Sequence, residues 1–138
     1  MDGNTHGDKV RALIVDDSSV IRLVLGRILH EADLGLTDLV QASNGQQALD
    51  ILREDAAASR HFDVILCDIN MPVMNGIEFL ESRHTEDLAP GVPVLVIATE
   101  ACRPQVLNAL AAGAKGYITK PFTAGQVKDQ LAQLLQAA

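Results

Sequence analysis

A chain of 138 residues, 48% hydrophobic and 21% charged, has room for one domain with a buried core. Its 11 basic against 18 acidic residues give a formal charge of −7, with one Tyr, no Trp and three Phe. That excludes the clustered Lys/Arg and stacking aromatics of a non-specific nucleic-acid binder. No apolar run is long enough to span a bilayer.

Residues 1–8 are polar, include Gly3 and Gly7, and lack the apolar centre of a signal peptide. They read as a loose tail ahead of a single domain over 9–138, with no output module after the last helix. Val10–Val15 is an apolar, β-branched run that predicts a strand. Ser18–Glu31 carries Ile21, Val24, Leu25, Ile28 and Leu29 at helical spacing, with Ser18 or Asp17 available as its cap. Asp38–Ala42 predicts a short, weak strand, and Asn44–Gly45 turns the chain into a helix over Gln46–Glu54. Phe62–Cys67 predicts the third strand, Met71–Gly76 a turn-rich loop, and Ile77–Arg83 a short helix. Strand Val94–Ile97 follows Pro90–Pro93, helix Pro104–Ala111 starts on a proline suited to a first turn, and Gly113 ends it. Gly116–Ile118 and Thr123–Leu135 complete the chain as a fifth strand and an amphipathic helix. Strands alternating with helices predict βα units, a parallel sheet and helices on both faces.

The strands stop at residues with related chemistry. Asp16 and Asp17 close the first and Asp68 the third; Thr99 follows the fourth and Lys120–Pro121 the fifth. In a parallel sheet these stops share one edge, where open sheets of this kind bind ligands. Two carboxylates about 4 Å apart repel by about 4 kcal/mol at an effective dielectric near 20, so the acids need a proton, a cation or both. Lys120 supplies one positive charge, and Mg²⁺, which takes oxygen ligands and phosphate oxygens, suits the rest. A carboxylate can attack phosphorus to give an aspartyl phosphate, a step governed by positioning and electrostatics. Thr99 and Lys120 are then placed to hold phosphoryl oxygens. Singly, each residue has a commoner role: Asp16–Asp17 as a helix cap, Asp68 as a turn former, Thr99 as a cap, Lys120 as a solvated charge. Jointly, four such stops in a five-strand pattern favour the phosphoryl reading.

Three segments, Val15–Ser19, Cys67–Gly76 and Gly113–Phe122, resemble the receiver domain of two-component response regulators, in the single-domain chemotaxis type. The resemblance runs from about Lys9 to about Leu135. It implies a flavodoxin-like three-layer α/β sandwich with strand order 2-1-3-4-5. It also implies that Asp68 accepts a phosphoryl group from a histidine kinase, and that Asp16, Asp17, Asp68 and the backbone carbonyl of Asn70 hold Mg²⁺. Lys120 would contact the phosphoryl group, Thr99 and Tyr117 would form a switch pair, and the Lys120–Pro121 bond would be cis. The implied partners are that kinase and a phospho-dependent target such as the flagellar motor switch protein, in the cytoplasm, with no nucleic acid and no membrane. Such a protein is a phosphoacceptor, with at most self-phosphorylation and self-dephosphorylation, rather than an enzyme.

Two positions depart from that pattern. Glu100 stands directly after Thr99 where many relatives have a small residue, in a loop shorter than theirs. It either acts on anionic phosphodonors and the acyl phosphate's lifetime or simply points into water. Arg83 occupies a helix position where relatives keep an apolar residue, which implies a snorkelling side chain or a shifted helix. His6, His30, His61 and His84 read as surface residues, and Cys67 as a small buried apolar one, with Cys102 equally at home in a reducing cytosol.

Other functions fit less well. A haloacid-dehalogenase-type phosphohydrolase needs a second aspartate two residues after the nucleophile, where this chain has Asn70. A flavin module would set Asp16–Asp17 against the cofactor phosphate. Within the receiver class, a phosphorelay shuttle or a kinase-regulating single-domain protein is the alternative to a chemotaxis messenger.

Overall fold

The computed structural model describes residues 10–137; the tail expected over 1–8 lies outside them. Five strands and five α-helices alternate: β1 (Val10–Val15), α1 (Ser19–Glu31), β2 (Leu36–Ala42), α2 (Gly45–Ala57), β3 (Val64–Asp68), α3 (Gly76–Thr85), β4 (Val94–Ala98), α4 (Gln105–Ala111), β5 (Gly116–Thr119) and α5 (Ala124–Ala137). A 3₁₀ turn, Glu100–Cys102, precedes α4. All strand pairs are parallel and the sheet order is β2-β1-β3-β4-β5. This is the doubly wound arrangement that the alternation and the three motifs imply.

The strand alternation builds two cores. Leu13, Val15, Ile65, Cys67, Val96 and Ala98 face α2, α3 and α4, meeting Leu49, Phe79, Leu80 and Ala109. Ala12, Ile14, Leu66, Leu95 and Ile97 point the other way, onto Leu25 and Leu29 of α1 and Val127 and Leu131 of α5. The three central strands are buried on both faces, which explains their unbroken apolar character.

Side chains chosen for capping set the helix starts. Ser18, Asn44 and Asn75 each accept a hydrogen bond from the backbone of the first turn of α1, α2 and α3. Asn75 and Glu78 close a reciprocal capping box. Thr123 and Gln126 exchange the same pair of bonds ahead of α5, at 3.1 and 2.9 Å. Ser18, not Asp17, is therefore the cap of α1.

Elements differ from the sequence expectation mainly at their ends. β2 is the clearest case: seven residues, Leu36–Ala42, rather than a weak strand from Asp38. Its register with β1 shifts between Val10 and Arg11, and Thr37 and Asp38 are consecutively exposed. This bulge breaks the two-residue alternation and conceals the strand's beginning.

Arg83 is half-buried and turns its guanidinium onto the loop after α3. Its Nη1 donates to the carbonyls of Ala89 and Val92, at 2.8 and 3.3 Å, binding the loop after α3 to the helix. Its Nε is buried without a partner, and burial lowers the guanidinium pKa. His30, His61 and His84 are exposed as expected, and Cys67 is fully buried.

Candidate functional site

β1 delivers Asp16 to the edge of the sheet and α1 fixes its orientation. The Asp16 amide donates to the Ala42 carbonyl at 3.1 Å, so the residue continues the β1–β2 ladder. Its Oδ1 accepts the Ser18 amide at 2.9 Å, and Arg22 Nη1 donates to its carbonyl at 2.7 Å. One carboxylate oxygen is thereby committed to the turn into α1. The other, Oδ2, is buried and accepts no hydrogen bond. Asp17, next in the chain, is exposed.

β3 ends on Asp68, which is 3% exposed. Directly beyond it the chain folds back so closely that only glycine fits at position 76. The Gly76 amide donates to the Ile69 carbonyl at 2.8 Å. A Cβ there would lie 2.4 Å from the Asp68 carbonyl oxygen and 2.9 Å from the Ile69 Cα, both backbone atoms that cannot yield. Gly76 thus sets the height of the loop Ile69–Asn75 over the carboxylate, and the capping box then starts α3 from that loop.

Oxygens of Asp16, Asp17 and Asp68 all lie within 4.8 Å of one another. Lys120, placed by the end of β5, brings its Nζ to 3.3 Å from Asp16 Oδ2 and 3.4 Å from Asp68 Oδ2. It counters their charge without forming a hydrogen bond to Asp16 Oδ2. Burial, then the charge of Asp16, pushes the Asp68 carboxyl up to about 6, while Lys120 and the Asn70 amide hold it down. One ammonium does not neutralise three carboxylates. The arrangement clusters hard oxygen donors that could hold a divalent cation, and Asp16 Oδ2, which accepts no hydrogen bond, is an available ligand atom.

Thr99 ends the run after β4 and begins the 3₁₀ turn, yet its hydroxyl makes no capping bond there. The commoner role for this threonine is therefore not the one it takes. Tyr117 lies on β5 opposite Val96 and is 38% exposed. Asn70 is exposed in the loop after Asp68, and the Lys120–Pro121 peptide is cis. The sequence-predicted residues Asp16, Asp17, Asp68 and Lys120 are thus brought into direct proximity. Thr99 lies just past the end of β4, and Tyr117 lies on β5, the strand paired with β4.

Three residues were missed by the sequence reading. Arg22 holds the Asp16 backbone and Gly76 sets the loop height. Arg103 pairs with Glu100 at 3.0 Å, and its guanidinium lies close enough to Tyr117 for the phenol's charge to raise its pKa, after the larger effect of Glu100. Gly76 alone had a visible cue, a glycine immediately after a capping asparagine. A hollow of about 420 Å³ lies at the opposite edge of the sheet, lined by Asp55, Arg60, Phe62 and Pro90 among others, and contains none of these groups.

The sequence matches the model of the response regulator receiver domain over residues 12–132. The chemotaxis protein CheY of Pseudomonas aeruginosa is 36% identical over 127 residues, covering 92% of this chain and 97% of that protein. CheY-3 of Vibrio cholerae is 37% identical over 127 residues, 92% of each chain. Among solved structures, the V. cholerae chemotaxis response regulator CheY4 superposes with a TM-score of 0.77 at 31% identity, over 92% of this chain and 99% of that one. The family match takes in the acidic edge, the lysine and every strand except the first two residues of β1, and with that extent the chain belongs to the response regulator receiver domain family.

Proposed function

We propose that this receiver is a phosphorylation-activated messenger in which Asp68 takes a phosphoryl group from a phosphohistidine of a histidine kinase. An Asp68 Oδ attacks phosphorus, the new O–P bond forms, and the N–P bond breaks with its electrons passing to the imidazole. The observation that carries the reading is the gathering of Asp16, Asp17, Asp68 and Lys120 at one strand edge. In this reading the Lys120 ammonium pairs with one phosphoryl oxygen and the Thr99 hydroxyl, free of any cap, donates to another. Asp16, Asp17, Asp68 and the Asn70 carbonyl would hold Mg²⁺. When bound, Mg²⁺ supplies positive charge against the carboxylates and the phosphoryl oxygens.

Phosphorylation adds roughly one further negative charge and strong acceptor oxygens at residue 68. Thr99 is drawn toward those oxygens, and Tyr117 turns into the space released. The face formed by α4, β5 and α5 changes shape, and a partner that prefers the new shape shifts the equilibrium. The names of the relatives favour a chemotaxis target, and the flagellar motor switch protein is the partner we assign. The family match and Asn70, two residues past Asp68, both disfavour a phosphohydrolase.

The test is phosphotransfer from a histidine kinase charged with labelled ATP. Label should pass to the wild-type protein in Mg²⁺, fail in excess EDTA and fail for Asp68→Asn. Transfer to Asp68→Asn at the wild-type level would remove Asp68 from its role.

A further inference from the structure

We propose, building on the cation site of the reading above, that Arg22 is a positioning residue for Asp17 and acts through the peptide that joins the two aspartates. Of the three clustered acids, two have anchors of their own. Asp16 Oδ1 accepts the Ser18 amide at 2.9 Å, and Asp68 is buried at the end of β3 with Lys120 3.4 Å away. Asp17 is exposed, and its carboxylate accepts no hydrogen bond among the described residues. Its place in the cluster is therefore set by the backbone that carries it. The Asp16 amide donates to the Ala42 carbonyl at 3.1 Å, which fixes the peptide before Asp16. The Asp16 carbonyl accepts Arg22 Nη1 at 2.7 Å, which fixes the peptide after it. That second peptide is planar, so holding its oxygen also holds the Asp17 Cα from which the carboxylate starts.

The guanidinium suits this task because it has a second hold. Arg22 Nε donates to Gln41 Oε1 at 3.0 Å, and Gln41 directly precedes Ala42 on β2. The Arg22 amide donates to the Ser18 carbonyl at 3.0 Å, so the side chain springs from the first turn of α1. One half-buried planar group thus ties α1 and the edge strand β2 to the 16–17 peptide. A lysine ammonium, a point charge on a flexible stem, lacks that fork. Charge argues the other way. A cation beside three carboxylates makes the site less negative, so by charge alone its loss would tighten the binding of a divalent cation. Orientation is the larger effect, since partners that orient metal ligands change affinity by about ten- to a hundredfold.

Calorimetric titration with MgCl₂ reads the effect without any phosphoryl donor. Binding of Mn²⁺, followed by the EPR signal of the free ion, gives the same ratios where Mg²⁺ binds too weakly for calorimetry. Arg22→Met, which keeps an apolar stem and loses every donor, should weaken binding by about five- to tenfold. Gln41→Leu, which removes only the second hold, should weaken it by about two- to threefold. In an Asp17→Asn background, Arg22→Met should change affinity by less than about twofold, because its route to the cation is gone. A general loosening of α1 would weaken binding equally in both backgrounds, and charge alone would tighten it. Either result overturns the inference, as does an affinity that Arg22→Met leaves unaltered. Should the wild-type protein bind neither ion, the cation-site reading falls and takes this inference with it; wild-type binding that Arg22→Met does not weaken removes the inference alone.

Discussion

Lys120 Nζ stands 3.4 Å from Asp68 Oδ2, yet Asp68 ionises less readily than a free aspartate, its pKa pushed up from 3.8 to about 6. Burial and Asp16 outweigh the lysine and the Asn70 amide. Between those two values the folded chain holds a proton at residue 68 that the unfolded chain has lost. Ionising Asp68 therefore removes stability as the pH rises through that window. Without metal, at about pH 7.5, Asp68→Asn should unfold at higher urea concentration than wild type, by on the order of 1–3 kcal/mol. The advantage should shrink as the pH falls toward 4 and the wild-type carboxyl takes up its proton. Equal stability of the two proteins across that range would show that the site is not strained by like charge.

The same crowding governs the response to a divalent cation. Binding to the folded state alone stabilises by RT ln(1 + [L]/Kd), about 1.4 kcal/mol at ten times Kd. Thermal melts with increasing MgCl₂ should shift upward for wild type and much less for Asp17→Asn, whose exposed position makes it a gentle change to the fold. A shift of the same size in the variant would take Asp17 out of the cation site.

Away from the site, Arg11 secures a buried carboxylate. Its guanidinium pairs with Asp55, which is 4% exposed, and with Asp38 at 2.7 Å, and it lies 4.1 Å above the Phe62 ring. Arg11→Ala leaves Asp55 buried with, among the described residues, only Arg60, at 3.4 Å, as counter-charge. Denaturant unfolding should show a loss of about 3–5 kcal/mol, against less than about 1 kcal/mol for Asp38→Ala on the exposed side of the same arginine.

Gly76→Ala tests the close approach beneath Asp68. With a Cβ 2.4 Å from the Asp68 carbonyl oxygen, the loop has to lift, and the carboxylate moves with it. Stability should fall by more than the roughly 1 kcal/mol that alanine ordinarily gains over glycine in a helix, with the opposite sign, and affinity for Mg²⁺ should fall as well. Wild-type melting and cation response together would mean that the loop accommodates a methyl group.

Much of this fold is legible in residue order because the central strands are buried on both faces. Val10–Val15 and Val94–Ala98 announce themselves as apolar, β-branched runs, and each ends at a polar residue on the common edge. β2 is partly hidden because its bulge at Thr37 and Asp38 breaks the alternation that marks a half-exposed strand. The four charged residues of the cluster are legible as strand stops. What they touch is not: Asp16 depends on the Ser18 amide and Arg22, and no local pattern encodes those contacts. Arg83 shows the same limit. Its stem lies where an apolar residue belongs, but its guanidinium serves the carbonyls of Ala89 and Val92 on a loop whose path only the packed structure defines.

Borohydride trapping of residue 68 tests the central claim most directly. The protein is incubated with phosphoramidate and Mg²⁺, reduced, digested and sequenced by mass spectrometry. An acyl phosphate on Asp68 is converted to homoserine, so the account predicts that change at position 68, dependent on Mg²⁺ and lost in Lys120→Ala. Homoserine at Asp16 or Asp17, or an unmodified Asp68 in a protein that has taken up phosphoryl elsewhere, would contradict it.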